Sequence, residues 1–286
     1  MRSLKVDDNE EFDINDLEDI PMIRTGVIGE GSCFLHSLFT SMNAHEYKQL
    51  SIRERLKYVI DRRAEVADEL TLDEWMDLSE GETSLNMFNE VFILIVSNVF
   101  DIIVSKKKAP YLDDDDEKIN KNIVKFFKIM VKKYRKNIKS VMEVYDSSFK
   151  FYTEKIVSKK INIRNVVSKM DKELKPFIQE VYDFCIEYAF DKYKQNLADP
   201  HYEIDEFYVP FFSQKYGLNI IFITDEGDVY RMTNDDRLEM RQNHRPFILM
   251  HYINESHFES IGLVENESDI YRVFDVDHPV IQTLLL

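Results

Sequence analysis

The sequence predicts an α+β protein: a small β-sheet flanked by helices, with a large helical insertion. Apolar residues recur at helical spacing between residues 51 and 195. After residue 207 the pattern changes to short apolar runs of strand length, separated by turn residues. With 286 residues, of which 44% are hydrophobic, the chain is long enough for one sizeable core and an insertion.

Charge is distributed unevenly along the chain and suggests the domain boundaries. Residues 1–20 carry eight acidic and two basic side chains, so we expect an acidic flexible leader there, followed by one folded domain over 21–286 with 51–195 as its mainly helical insertion. Residues 118–176 carry 17 basic and five acidic side chains, although the net charge of the whole chain is −16. A solvated helix face is favoured over a nucleic-acid or membrane site, because no RNA-binding motif accompanies the lysines.

The segment before the first predicted helix carries the clearest chemical signal. Gly26, Gly29 and Gly31 predict a tight loop, and the apolar spacing that follows predicts a helix beginning near Cys33. Unpaired backbone N–H groups and the helix dipole at such a position favour a thiolate and can hold an oxyanion. Cys33 is therefore a candidate nucleophile, against the alternative of a small buried residue at a helix start. Cys185, within an apolar helical pattern, is expected to be inert core.

The last third of the chain supplies a candidate base for that cysteine. The predicted elements are a helix over 208–216 and strands over 218–224, 228–232, 246–252 and 257–264. The last two strands form a hairpin, and His257 enters its second strand. Glu259 points to the same strand face and is placed to orient the imidazole. Among the seven histidines, His251 and His244 are weaker rivals.

Two short motifs resemble those of a known family. Residues 29–37 (GEGSCFLHS) resemble the catalytic-cysteine motif of the ovarian-tumour (OTU) family of deubiquitinating cysteine proteases, which usually reads Asp-Gly-Asn-Cys-Leu-Phe. Residues 257–261 (HFESI) resemble the catalytic-histidine strand of that family, and residues 206–223 resemble the helix and central strand that precede it. The resemblance covers roughly residues 21–50 and 200–265. The Gly-Ser-Cys-Phe form also resembles versions that large DNA viruses encode.

The resemblance implies a papain-like OTU core with Cys33 as nucleophile, His257 as general base and then acid, and Glu259 as the residue that orients the histidine. Glu30 stands where the family has a loop Asp. The implied oxyanion hole consists of the backbone N–H groups of Gly31, Ser32 and Cys33. The implied reaction is hydrolysis of an isopeptide bond at the C-terminus of ubiquitin or a ubiquitin-like modifier, in the cytoplasm, and in that of a host cell if the protein is viral.

Three positions depart from the pattern of the family: Glu30 replaces Asp, Ser32 replaces Asn, and Glu259 replaces Asn or Asp. Two alternatives therefore stand beside the enzyme. One is an OTU-fold protein that binds ubiquitin with impaired turnover, and the other is a helical scaffold in which residues 51–195 carry the function.

Other classes of protein lack their sequence signals. The chain has no phosphate-binding glycine loop and no paired zinc-ligand spacing, so we expect neither a cofactor nor a metal. Its apolar runs are too short for a transmembrane segment, and two cysteines are too few for a disulfide framework.

Overall fold

The protein is described here by a computed structural model. It describes residues 2–17, 20–29, 31–42, 44–78, 92, 95, 96, 99, 123–138, 174–204, 208–254, 256–266 and 269–286. Contacts between Cα atoms divide the chain into two units, one formed by Met1–Leu78 with Lys194–Leu286 and the other by Ser79–Tyr193. The first unit contains the sheet and every described candidate site residue. It also contains residues 51–78 and 194–195, which belong to the predicted helical insertion over 51–195.

One mixed sheet lies in the first unit. Its strands are β1 (Asn9–Glu11), β2 (Met22–Thr25), β3 (Asn219–Ile223), β4 (Phe247–Ile253), β5 (His257–Asn266) and β6 (Asp269–Tyr271). The order is β1-β2-β5-β4-β3, and β6 pairs with the end of β5. Strands β3 and β4 are parallel, and the other pairs are antiparallel. A mixed sheet combined with many helices makes this a mixed α/β structure, compatible with the predicted α+β class, and β4 and β5 form the predicted hairpin.

The helices of the described residues are α1 (Cys33–Met42), α2 (Ala44–Gln49), α3 (Ile52–Glu69), α4 (Leu72–Leu78), α5 (123–138), α6 (Lys175–Ala198), α7 (Val209–Tyr216), α8 (Asn234–Gln242) and α9 (Pro279–Leu284). Residues 92, 95, 96 and 99 are also helical. Helix α3 begins with a capping box, in which Ser51 and Glu54 each accept a backbone hydrogen bond from the other. Helix α7 ends at Gly217, whose φ of 63° places it in the left-handed region, as the sequence predicted.

The two faces of the sheet are covered by different parts of the chain. On one face, Ser260 of β5 hydrogen-bonds Ser41 of α1 at 2.8 Å, and the rings of Phe258 and Phe34 lie 5.5 Å apart. On the other face, a buried apolar cluster joins the strands to the N-terminal segment and to α9. Its members include Phe12, Ile14, Leu17, Ile221, Leu249, Ile261, Val280 and Ile281. Because side chains alternate along β5, neighbouring residues of this strand face different layers.

The first twenty residues differ from the flexible leader that their composition suggested. Strand β1 pairs with β2, and Phe12 and Ile14 are buried in the core. The carboxylate of Asp7 accepts two hydrogen bonds from Arg55 of α3, at 2.7 and 2.9 Å. Strand β1 itself is polar and exposed, and the buried apolar side chains follow it at residues 12, 14 and 17, where the acidic composition of the segment conceals them.

Candidate active site

Cys33 is the first residue of α1 and is 7% exposed. Its position depends on the loop before it, since the carbonyl of Ser32 accepts the first helical hydrogen bond from His36 N at 3.0 Å. Gly31 passes so close to the 200–202 turn that a Cβ atom would lie 2.9 Å from the carbonyl oxygen of His201. Any larger residue would collide with this backbone. The close approach therefore explains why the predicted loop has glycine at position 31.

The thiol of Cys33 lies at the point where α1 meets the start of β5. Burial raises the pKa of Cys33, and hydrogen bonds from the backbone of Phe258 and Phe34 partly offset that effect. The exposed carboxylate of Glu203 raises the pKa of the thiol further. Cys33 is therefore a neutral thiol near pH 7 and not the thiolate that its place at a helix N-terminus favoured, so a base would have to remove its proton before it could act as a nucleophile.

His257 is the first residue of β5 and directly precedes Phe258, whose backbone reaches the thiol. Its side chain is 18% exposed, and burial lowers its pKa, which keeps the imidazole neutral near pH 7. The Nε2 atom has no hydrogen-bond partner among the described residues, and it lies 3.9 Å from Oε1 of Glu259. This imidazole shares a face of β5 with Glu259, whereas Phe258 and Ser260 face α1, so it is the backbone of β5 rather than the ring of His257 that contacts the thiol.

Glu259 lies beside His257 on the same face of β5, but other groups hold its carboxylate. The backbone N–H of Leu4 donates to Oε1 at 2.6 Å, and Arg24 Nη1 donates to Oε2 at 3.3 Å. The side chain is fully buried, and burial raises the pKa of Glu259, although Leu4 and Arg24 oppose the rise. Because 3.9 Å exceeds hydrogen-bond length, Glu259 does not hydrogen-bond the imidazole in this conformation.

The predicted oxyanion loop is described in part, since Glu30 lies outside the described residues. The carbonyl of Gly31 accepts hydrogen bonds from Ile204 N at 3.1 Å and from Arg63 at 3.2 Å. The hydroxyl of Ser32 accepts a second hydrogen bond from Arg63 at 2.8 Å and donates to the carbonyl of Pro200 at 3.4 Å. The polar side-chain and carbonyl groups of the loop are thus held by the protein itself.

Arg63 of α3 is the residue at this site that sequence reasoning missed. It is completely buried, and its guanidinium also donates to the carbonyl oxygens of Asn196, Leu197 and Tyr202, at 2.9, 2.8 and 3.0 Å. In the sequence it is one of many charged residues in a helix, which normally indicates an exposed side chain.

The two weaker candidates for the base, and the second cysteine, have different surroundings. His251, in the middle of β4, is fully buried and lies 3.0 Å from Asp225, and burial lowers its pKa to about 4. His244 is exposed in a turn with a φ of 53°. Cys185 is a free, fully buried cysteine on α6 whose pKa is raised by burial, which agrees with inert core.

Comparison of the chain with models of protein families, with curated proteins and with solved structures finds no match. Among the described residues, no helix is long and apolar enough to cross a membrane. What the protein does must therefore be inferred from the chemistry of Cys33, His257 and their neighbours.

Proposed function

We propose that the protein is an OTU-like cysteine hydrolase that cleaves isopeptide bonds at the C-terminus of ubiquitin or a ubiquitin-like modifier. The observation that carries the proposal is the meeting of two distant segments. The thiol of Cys33, at the N-terminus of α1, accepts a hydrogen bond from the backbone of Phe258, the residue next to His257. A nucleophile and a base from opposite ends of the chain are typical of cysteine hydrolases.

The reaction would start from a neutral thiol and a neutral imidazole. His257 would take the proton of Cys33 as the sulfur attacks the carbonyl carbon of the scissile bond. The N–H groups at the start of α1 would hold the resulting oxyanion. The imidazolium would then protonate the departing lysine amine, leaving a thioester on Cys33. Water, deprotonated by His257, would hydrolyse that thioester and regenerate the thiol.

Charge complementarity supports a modifier with a basic tail as the substrate. The chain has a net charge of −16, and the carboxylate of Glu203 is exposed and close enough to Cys33 to act on its pKa. An acidic surface attracts the Arg and Lys side chains of ubiquitin and speeds their encounter. Both cysteines are free, which supports the cytoplasm, including that of a host cell, as the setting of the reaction.

The same geometry favours one second candidate, a ubiquitin-binding protein with impaired turnover. Its basis is the position of Glu259, whose carboxylate is occupied by Leu4 and Arg24. A histidine that no hydrogen bond orients towards the thiol is a weaker base. The two candidates share a binding surface and differ in whether Cys33 reacts.

A covalent probe distinguishes them. The protein is incubated with ubiquitin that carries a C-terminal electrophile, and the adduct is measured by intact mass. We expect the wild type and Cys185→Ala to form the adduct, Cys33→Ala to form none, and His257→Ala to react at least about a hundredfold more slowly. No adduct with retained ubiquitin binding would favour the impaired binder. No adduct and no binding would refute both candidates.

A further inference from the structure

Arg63 is a buried side chain that binds the loop before Cys33 and its neighbours through many hydrogen bonds. A guanidinium has five N–H donors, and those of Arg63 have five acceptors. The acceptors are the carbonyl oxygens of Gly31, Asn196, Leu197 and Tyr202 and the hydroxyl of Ser32. Two of them belong to the loop directly before Cys33, and the others belong to the end of α6 and to the turn that follows it. Arg63 therefore connects three segments from inside the protein.

The burial of this cation needs an explanation. None of the five acceptors is a carboxylate, and burial lowers the pKa of Arg63 to about 10, although the charge of the nearby Asp199 opposes this shift. Burying a charge without a bonded counter-ion is costly, whereas an apolar side chain would avoid that cost but leave the five acceptors without these donors. An apolar side chain would also not fix the direction of the carbonyl groups that it contacts, whereas the hydrogen bonds of a guanidinium do.

That direction matters at Gly31. In a trans peptide unit the carbonyl and the following N–H point in opposite directions, so holding the Gly31 oxygen also sets the direction of the Ser32 N–H. Arg63 and Ile204 N hold this oxygen together, at 3.2 and 3.1 Å. The N–H group of Ser32 is one of the expected oxyanion donors. Its orientation is therefore coupled to a side chain that the substrate never touches.

We propose that Arg63 is the positioning residue of the nucleophile loop. It holds the Gly31–Ser32 peptide so that the N–H groups before and at the start of α1 face the reacting carbonyl. This role rests on the proposed hydrolase function for its effect on rate, but the effect on the loop is independent of the substrate. The two parts are measured separately.

The same helix supplies a matched control. Arg55 precedes Arg63 by eight residues on α3 and is 4% exposed. It also donates to backbone carbonyl oxygens, namely those of Tyr47, Lys48 and Leu50, and it pairs with Asp7. None of these groups belongs to the loop before Cys33. Arg55→Ala and Arg63→Ala therefore each remove a buried guanidinium from α3, but only Arg63→Ala releases that loop.

The first measurement is hydrogen exchange of the backbone amides in the full-length protein. We expect Arg63→Ala to speed exchange of residues 31–36 and of Ile204 at least about tenfold, and Arg55→Ala to leave them within about threefold of the wild type. The second is steady-state hydrolysis of ubiquitin with a fluorogenic C-terminal group. Misplacement of catalytic groups by about 1 Å costs roughly a hundredfold, so Arg63→Ala should lower kcat by about that factor with little change in KM.

Arg63→Lys keeps the charge but has three donors in a different geometry. Its kcat should therefore exceed that of Arg63→Ala by no more than about tenfold. This variant also provides the comparison if Arg63→Ala does not fold. Unchanged exchange at 31–36 in both Arg63 variants would overturn the positioning role whatever the substrate is. Faster exchange with an unchanged kcat would overturn its catalytic consequence. A wild type without ubiquitin hydrolysis would instead refute the proposed function, and the exchange result would still decide the role of Arg63 in the loop.

Discussion

His251 should make the stability of the protein depend on pH below neutrality. The imidazole is fully buried on β4, and burial lowers its pKa to about 4 although Asp225 lies 3.0 Å away. In an unfolded chain a histidine titrates near pH 6.5. Between these two values the unfolded state binds a proton that the folded state excludes. The free energy of unfolding is therefore intact above about pH 6.5 and falls as the pH falls toward 4.

The size of the effect follows from the two pKa values. At pH 5 the unfolded histidine is almost fully protonated, whereas His251 in the folded protein, with a pKa of about 4, is mostly neutral. This difference lowers the free energy of unfolding by about 2 kcal/mol relative to pH 7. His251→Gln removes the titration and retains a polar group near the position of Nε2. The variant should therefore lose about 2 kcal/mol less than the wild type between pH 7 and pH 5.

Urea unfolding at pH 7, 6 and 5, followed by circular dichroism, measures this difference directly. Other groups titrate in both proteins, including the buried His36, whose pKa is also lowered to about 4. Subtracting the two curves therefore isolates His251. Parallel curves that differ by less than about 0.5 kcal/mol over this range would refute the reasoning. His36→Asn, measured in the same way, should show an effect of similar size and sign.

The remaining predictions concern stability near pH 7, measured by the same unfolding assay. Phe34→Ala should cost about 3–5 kcal/mol, because the ring is fully buried between α1 and the sheet; a cost near that of Ile52→Ala, an exposed control, would contradict this packing. Thr233→Ala should cost about 1 kcal/mol through loss of the α8 capping box, and no loss would show that the cap is dispensable. Gly227→Ala should cost more than about 1 kcal/mol, since φ is 84° and a Cβ would lie 2.8 Å from the carbonyl oxygen of Asp13; a neutral result would mean that the turn relaxes.

The two halves of the candidate site were predictable because each has a local signal. Helix α1 begins at Cys33, where the glycine loop gives way to helical spacing. The predicted strands over 246–252 and 257–264 correspond to Phe247–Ile253 and His257–Asn266. Such signals come from residues within a few positions of one another, and the backbone responds to them directly.

The residues that hold those halves in place were not predictable in the same way. Arg24 and Glu259 form a buried ion pair across 235 positions, and in the sequence each resembles an ordinary surface charge. A local signal was also overlooked, because Thr233 and Asp236 form a capping box that begins α8. The predicted strand over 228–232 is reduced to a single bridge between Val229 and Ile223. Local sequence patterns do not predict that a charged residue is buried when its partner lies far away in the chain.

The pairing of β2 with β5 has a consequence for how the protein is made. Thr25 of β2 lies opposite Ser260 of β5, so this inner strand of the sheet can pair on that side only after a segment near the other end of the chain has been synthesised. At about 5–20 residues per second, ribosomes need roughly 12–50 s to synthesise the chain between them. During that time β2 has no neighbour but β1, and the loop before Cys33 lacks β5, the strand that begins at His257. A nascent chain would thus have an exposed strand edge at β2 and an uncovered Cys33, and the pairing of β5 would cover both in one late step of folding.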